Sequence, residues 1–207
     1  MKLKKSVKRF LWILAILIVS LFVVWYLFFS DKKTVKKVKV LTKVNGYGYE
    51  LKDNKSKEYK DLFYELEKVL KKDSVNYEDY AKTISKMFIL DYYSLNEKIA
   101  KTDVGGVDFV HSKALTDFLE KSENTIYKYV ESNLYGGRKQ SLPTVDEVTV
   151  DSVDIDTFEY LDTSDSEAYV VKVHWTYKDK SSSNGYQDEA VLTFVHEDKK
   201  LSLVELK

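Results

Sequence analysis

The chain has 207 residues, with 33 basic and 33 acidic side chains and a formal net charge of zero. That length allows one well-packed domain and an additional segment. A balanced charge provides no overall field that would attract nucleic acid, so we expect no nucleic-acid partner. Because the sequence contains no cysteine, disulfides, thiolate nucleophiles and zinc–thiolate sites are excluded.

The first strong pattern is an apolar run from Phe10 to Phe29, twenty residues without a charged side chain. A helix of that length extends about 30 Å, the thickness of the hydrocarbon core of a bilayer, so the run predicts a transmembrane helix. A cleaved signal peptide is the alternative, but the run is longer than most signal-peptide cores and no small-residue cleavage site follows it. Trp12 and Trp25 suit the two membrane interfaces.

Basic residues flank this run on both sides. We predict residues 1–9 as a cytoplasmic tail, because a short tail rich in positive charge resists translocation whereas a long domain crosses regardless of its charge. Residues 30–45 are predicted as a Lys-rich juxtamembrane linker, either attracted to anionic headgroups or simply soluble. Residues 46–207 are predicted as an extracytoplasmic domain, which makes the chain a single-pass cell-membrane protein.

Three amphipathic helices are predicted between residues 56 and 137, where apolar residues recur every three or four positions. The first begins near Ser56, and the second has Asn76 as its N-cap. The third runs from about Ser112 to Gly136 and Gly137, because adjacent glycines are typical of a helix end.

From residue 145 the apolar period changes to two, which is typical of strands. We predict strands near residues 145–160, 167–178, 186–196 and 201–206, joined by polar turns into an antiparallel meander. Helices followed by strands indicate an α+β fold, with three helices packed on a curved four-stranded sheet.

The hairpin formed by the second and third strands carries apolar residues at both odd and even positions. We predict that, around the turn near residues 181–184, strand partners have numbers with an even sum, so Val173 faces Val191 or Thr193 and the two sets lie on opposite faces. Helices would cover the odd set. The even set then forms a candidate interaction face, which comprises Val170, Lys172, His174, Ala190, Leu192 and Phe194. Exposed apolar surface usually marks an interaction site, although loops sheltering this face are the alternative.

The order of elements resembles the membrane-anchored NTF2-like proteins, which include VirB8-like components of bacterial conjugation and type IV secretion machines. It is carried by the helical stretches "YEDYAKTISKMFILDYYSLNEK" and "DFVHSKALTDFLEKSENTIYKYVESNLYG", followed by the meander, and covers residues 50–207. The stretches "KTDVGGVDFV" and "RKQSLP" are also similar to an uncharacterised group of anchored proteins from low-GC Gram-positive bacteria. The resemblance implies a cone-shaped fold, often paired, with a pocket between helices and sheet, and no particular activity.

Acid–base chemistry in such a cone would need an acid and a base in an apolar pocket. The candidate pocket residues are Asp91, Tyr92, Tyr93 and Tyr129. Core-lining tyrosines are commoner than catalytic ones, and the sequence has no motif typical of nucleotide binding or of the familiar hydrolases. The predicted hairpin keeps His174 and His196 several rungs apart, so they cannot share a metal ion. An Asp-rich run between residues 146 and 167 suits either a Ca²⁺ site or, as we favour, a charged strand edge.

We therefore predict no enzymatic activity, no cofactor and no metal. The leading hypothesis is a single-pass membrane protein whose extracytoplasmic domain mediates assembly, with itself or with other subunits of a membrane complex, as a VirB8-like component would. The alternative is a small-ligand-binding or enzymatic cone. A deep pocket lined by Asp91, Tyr92 and a polar sheet residue would favour that alternative.

Overall fold

The computed structural model describes residues 5–29, 38–160 and 163–207, and the chain divides into two compact units, Met1–Lys36 and Lys37–Lys207. The first unit contains helix α1 (Lys5–Phe29), on which apolar side chains such as Trp12 and Phe22 are exposed. Among the described residues, no helix combines the length and the apolar character needed to cross a membrane. The transmembrane helix stays a prediction, and the predicted tail and linker lie partly outside the described residues.

The second unit is an α+β domain. Its helices and strands in chain order are β1 (Val40–Val44), β2 (Tyr49–Lys52), α2 (Lys57–Leu70), α3 (Tyr77–Tyr93), α4 (Leu115–Asn124), β3 (Val145–Tyr160), β4 (Thr163–Tyr177), β5 (Glu189–Glu197) and β6 (Lys200–Leu206). Strands β1 and β2 form a separate hairpin, whereas β3 to β6 form a curved antiparallel sheet in sequential order. The predicted α+β class and meander are confirmed. Strand β1 lies in the segment predicted as linker, so the folded unit begins before residue 46.

Local signals set the starts of α2 and α3 as predicted. The Ser56 hydroxyl accepts a hydrogen bond from the backbone amide of Tyr59, and the Asn76 side chain accepts one from that of Asp79. Each bond satisfies an amide that the first helical turn leaves without a partner. Each cap bonds an amide three residues further along the chain, so the Asn76 cap could be predicted from a short stretch of sequence, and Ser56 was predicted as the start of the first helix.

The predicted third helix is wrong in its length, because α4 ends at Asn124 instead of continuing to residue 136. Tertiary hydrogen bonds explain the early end. The buried hydroxyl of Tyr127 donates to the backbone carbonyl of Tyr92 and accepts from the amide of Gly105. These bonds fix residue 127 against α3 and the glycine bend, where a continued helix would not place it.

The core lies between the helices and one face of the sheet. Helix α3 packs on β3 and β4, and α2 packs on α3. The largest fully buried side chains include Phe63, Tyr80, Phe88 and Phe194. The buried apolar cluster extends from Val44 to Leu203, so the unit Lys37–Lys207 contains a hydrophobic core of its own.

The predicted register of the β4–β5 hairpin is wrong. Val171 lies opposite Leu192 and Val173 lies opposite Ala190, so odd positions of β4 share a face with even positions of β5. An even number of residues separates these paired positions, whereas the predicted pairing of Val173 with Val191 or Thr193 leaves an odd number between partners. The apolar residues of the hairpin therefore gather mainly on the helix-covered side, as in an ordinary half-solvated sheet.

This register divides the predicted interaction face into two groups. Ala190, Leu192 and Phe194 are buried in the core together with Trp175, and Leu192 and Phe194 have 0% exposure. Val170, Lys172 and His174 lie on the opposite face, where Lys172 and His174 are exposed. The six residues do not form one surface, and the interaction face predicted from parity is corrected accordingly.

Candidate ligand-binding cavity

A cavity of about 590 Å³ lies between the helices and the sheet. The end of α3, helix α4 with the residues after it, and strand β6 form its walls. Aromatic rings come from Tyr92, Tyr93, Phe118 and Tyr160, and aliphatic side chains come from Val110, Ala114, Ile126, Leu203, Val204 and Leu206. Apolar and aromatic walls of this kind are typical of sites for small organic molecules.

Two pairs of polar side chains interrupt the apolar wall. The hydroxyl of Tyr92 is hydrogen-bonded to that of Ser122 at 3.0 Å, and both residues are buried. The hydroxyl of Tyr93 donates to the side-chain carbonyl of Gln187, also at 3.0 Å. Each pair retains unused hydrogen-bonding capacity, since a hydroxyl can donate once and accept twice. The cavity therefore offers polar groups to a ligand as well as apolar surface.

Burial raises the pKa of the Tyr92 hydroxyl, although its bond to Ser122 opposes the rise. Burial likewise raises the pKa of the Tyr93 hydroxyl, and the neighbouring Tyr92 and Tyr177 add to the effect. Both phenols are consequently neutral at physiological pH. They act in the cavity as hydrogen-bonding groups and not as proton acceptors with a pKa near 7.

Charged side chains line the cavity only where it meets solvent. Asp117, Lys121 and Lys207 belong to the lining and are exposed. Lys207 also contacts Glu205 at 2.9 Å. Because Glu205 is paired with Lys207, Lys121 is the lining ammonium group that remains for an anionic group of a ligand.

No family model, curated protein or solved structure matches this chain. The chemistry of the cavity is therefore inferred from its own residues. Among the described lining residues, Asp117 is the one carboxylate, and none is a histidine.

The structure separates the four predicted pocket residues. Tyr92 and Tyr93 line the cavity, but Asp91 and Tyr129 do not. Tyr129 is 74% exposed, because α4 ends before it and the chain leaves the helix layer. Asp91 is buried, but it belongs to a separate charged cluster.

In that cluster one carboxylate oxygen of Asp91 lies 2.5 Å from the Lys55 ammonium and 2.7 Å from that of Lys98. Its other oxygen accepts from the amide of Gly106 at 2.9 Å. Burial alone would raise the pKa of Asp91, but Lys98, Lys55 and the Gly106 amide outweigh it and hold the pKa well below its usual range. Asp91 is therefore a structural anion that joins three chain segments.

His174 and His196 each pair with a different carboxylate, so the two histidines do not share one site. His174 contacts Asp151 at 2.7 Å, and His196 contacts Asp165 at 2.9 Å. In the part of the chain that the structure describes, no three His, Asp or Glu side chains are grouped closely enough to hold a metal ion.

Sequence reasoning missed Ser122, Gln187 and Tyr160 as lining residues. Ser122 had a detectable signal, since it occupies an apolar-stripe position of α4, three and four residues after Leu119 and Phe118. A polar residue in such a stripe indicates a buried hydrogen bond or a binding site. Gln187 and Tyr160 lie on loops or strand ends that reach the cavity only through the tertiary fold, so no local pattern identifies them.

Proposed function

We propose that this chain is a membrane-anchored, non-enzymatic binding protein with an NTF2-like cone, whose cavity takes a small amphipathic ligand. The observation that supports it most directly is the cavity of about 590 Å³ between helices and sheet. Its volume lies within the range of about 300–1,000 Å³ that is usual for small-molecule sites. The four-stranded meander and its helices also fit the cone that the family resemblance implies.

The lining defines the ligand class. The rings of Tyr92, Phe118 and Tyr160 suit a flat or branched apolar body, since aromatic walls contribute large contact areas. The hydroxyls of Tyr93 and Ser122 suit a carbonyl or hydroxyl group on that body. Lys121 at the mouth suits a carboxylate or a similar anionic group. A small organic acid with an apolar ring or chain satisfies all three requirements.

Binding is a better proposal than catalysis because of the state of the polar groups. The neutral phenols of Tyr92 and Tyr93 can orient a ligand, but they are poor bases at physiological pH. Asp117 is exposed, so this carboxylate lies at the solvent edge of the cavity and not within its apolar part.

A VirB8-like assembly role is still supported by the order of helices and strands in the sequence. Its other support was a second apolar face on the sheet, and the observed register places Leu192 and Phe194 of that face in the core. We therefore place ligand binding first and assembly second. The membrane anchor and the extracytoplasmic location are supported by the apolar run Phe10–Phe29 and the basic tail before it.

The test uses 8-anilinonaphthalene-1-sulfonate, an anionic aromatic probe that fluoresces in apolar sites, with the full chain in detergent. The wild-type protein is expected to give saturable fluorescence above that of detergent alone. Ala114→Trp should abolish the saturable signal, because residue 114 lines the cavity and an indole there would occupy space that the probe needs. The matched control is Ala100→Trp, at a similarly half-buried alanine outside the lining.

Near-ultraviolet circular dichroism checks that each variant is folded. The proposal is wrong if folded Ala114→Trp binds the probe as tightly as the wild-type protein. It is equally wrong if both tryptophan variants lose the signal to the same extent, since the probe would then report general surface changes and not the cavity.

A further inference from the structure

The segment that follows α4 exposes several large apolar side chains. We call residues 129–140 the aromatic loop. Tyr129 is 74% exposed, Leu134 42% and Tyr135 64%, and Ile99, which contacts the loop, is 49% exposed. The backbone amide of Asn133 donates to the carbonyl of Ile99 at 2.7 Å, which places the isoleucine beside the loop. Such a group of exposed apolar side chains on one loop points to an interaction site.

The backbone of the aromatic loop is held in one conformation by its own polar residues. The Arg138 guanidinium donates to the backbone carbonyls of Lys98 and Asn96, each at 2.8 Å. The side-chain amide of Gln140 donates to the carbonyl of Tyr129 at 2.8 Å. Because the loop is already ordered, a partner that binds it does not have to supply the free energy of ordering it.

Basic residues outnumber acidic ones within and beside the loop. Lys128 and Lys139 are exposed, and Glu131 is the exposed acidic residue within the loop. Beside Ile99, the charge of the exposed Lys101 is offset by that of the exposed Asp103, whose carboxylate accepts from the Ile99 amide at 3.0 Å. The Lys128 ammonium lies 5.2 Å from the centre of the Tyr129 ring. Tyrosine is enriched at the level of lipid headgroups, and lysine is attracted to anionic lipids. The combination therefore complements an anionic bilayer surface.

The apolar run Phe10–Phe29, which we propose to be the membrane anchor, precedes this unit in the same chain. A unit tethered to a membrane meets the lipid surface at a high local concentration. This favours a lipid surface over a soluble protein as the partner.

We propose that the aromatic loop binds the surface of an anionic lipid bilayer. Leu134 and Tyr135, beside the Gly136–Gly137 turn at the tip, enter the headgroup region. Lys128 and Lys139 face the anionic headgroups. The choice of lipid rests on the membrane location proposed above, whereas the loop geometry is independent of the cavity.

The experiment is cosedimentation of the unit Lys37–Lys207, which has its own core and lacks α1, with vesicles of equal phosphatidylglycerol and phosphatidylcholine. The unit should bind these vesicles, and it should bind vesicles of phosphatidylcholine alone much more weakly. The double variant Leu134→Ser/Tyr135→Ser should bind about tenfold more weakly, and Lys128→Gln about fivefold. The matched control is Tyr64→Ser, at an exposed tyrosine of α2, and it should bind like the wild-type unit.

The fluorescence of Trp175 reports whether each variant is folded. The inference is overturned if the wild-type unit does not bind the mixed vesicles, or if the folded loop variants bind them as well as the control does. Loop-dependent self-association without vesicle binding would assign the loop to protein contacts and overturn it as well. Because α1 is absent from the unit and the cavity variants are not used, failure here does not bear on ligand binding.

Discussion

The Asp91 cluster gives the clearest quantitative prediction. Asp91→Asn removes the one negative charge between two lysines while leaving the shape of the side chain nearly unchanged. The side chains of Asp91 and Lys98 are 8% and 5% exposed, and that of Lys55 is 18% exposed. Two ammonium groups would then face each other without the carboxylate, and the new amide could satisfy only some of the bonds from the lysines and Gly106.

Removing one partner of a buried ion pair typically costs about 3–5 kcal/mol, because a buried charge is left uncompensated. We expect the lower end, about 3 kcal/mol, since Lys55 retains access to water and the asparagine oxygen still accepts one bond. For a unit of this size, that loss lowers the melting temperature by about 6–12 °C. The effect on the free energy of unfolding is therefore large enough to measure with ordinary urea titrations.

Urea unfolding of the unit Lys37–Lys207 can be followed by Trp175, its single tryptophan, which is 3% exposed. Asp61→Asn, in an exposed ion pair with Lys57, is the matched control and should leave the midpoint almost unchanged. A loss below about 1 kcal/mol for Asp91→Asn would refute the reasoning, since it would mean that the lysines are compensated without the carboxylate.

The same pair of proteins tests the sign of the pH dependence. The pKa of Asp91 is lower in the folded unit than in the unfolded chain, where it is about 4. The carboxylate therefore stabilises the fold above that value, and its contribution is lost as the pH falls towards the folded-state pKa. The difference in unfolding free energy between wild type and Asp91→Asn should be constant near pH 7 and should narrow below about pH 4.

Two further predictions test the register and the anchor. Phe194→Asp should prevent cooperative unfolding in urea, because it buries a charge in the core. The control His174→Asp, on the exposed opposite face, should unfold cooperatively. Cooperative unfolding of Phe194→Asp would contradict the register. If Phe10–Phe29 anchors the chain with its tail inside, protease added to intact cells should remove the C-terminal unit, and protection that ends only on lysis would place the unit in the cytoplasm.

The features that could be predicted from the sequence are those with local causes. Ser56 and Asn76 cap helices whose first amides lie three residues away, so a short window contains the whole interaction. The change from a period of about 3.6 to a period of two likewise located the sheet and its sequential order. The end of α4 could not be predicted in this way, because its cause is not local: Tyr127 bonds to residues 35 and 22 positions earlier in the chain.

The register shows how a small uncertainty in a loop changes a functional conclusion. Residues 178–188 connect β4 to β5, and the strand pairing continues only to His174 and Glu189. A change of one residue in this pairing moves every side chain of β5 to the other face. The inferred second apolar face depended entirely on that parity. With the observed pairing, Leu192 and Phe194 contribute to the core, and the assembly hypothesis loses its physical basis in the sheet.

The prediction that Asp91 shares a pocket with Tyr92 and Tyr93 is wrong because of the geometry of helix α3. Successive residues of a helix point about 100° apart, so Asp91 and Tyr93 face in nearly opposite directions and cannot be assumed to share a site. The structure uses this difference, because the side chain of Asp91 joins the lysines and the glycine bend while Tyr92 and Tyr93 line the cavity. Tyr127 joins the two regions through the Tyr92 carbonyl and the Gly105 amide. The ion cluster thus stabilises the end of the helix that supports the cavity wall, without contributing a charged group to the cavity lining.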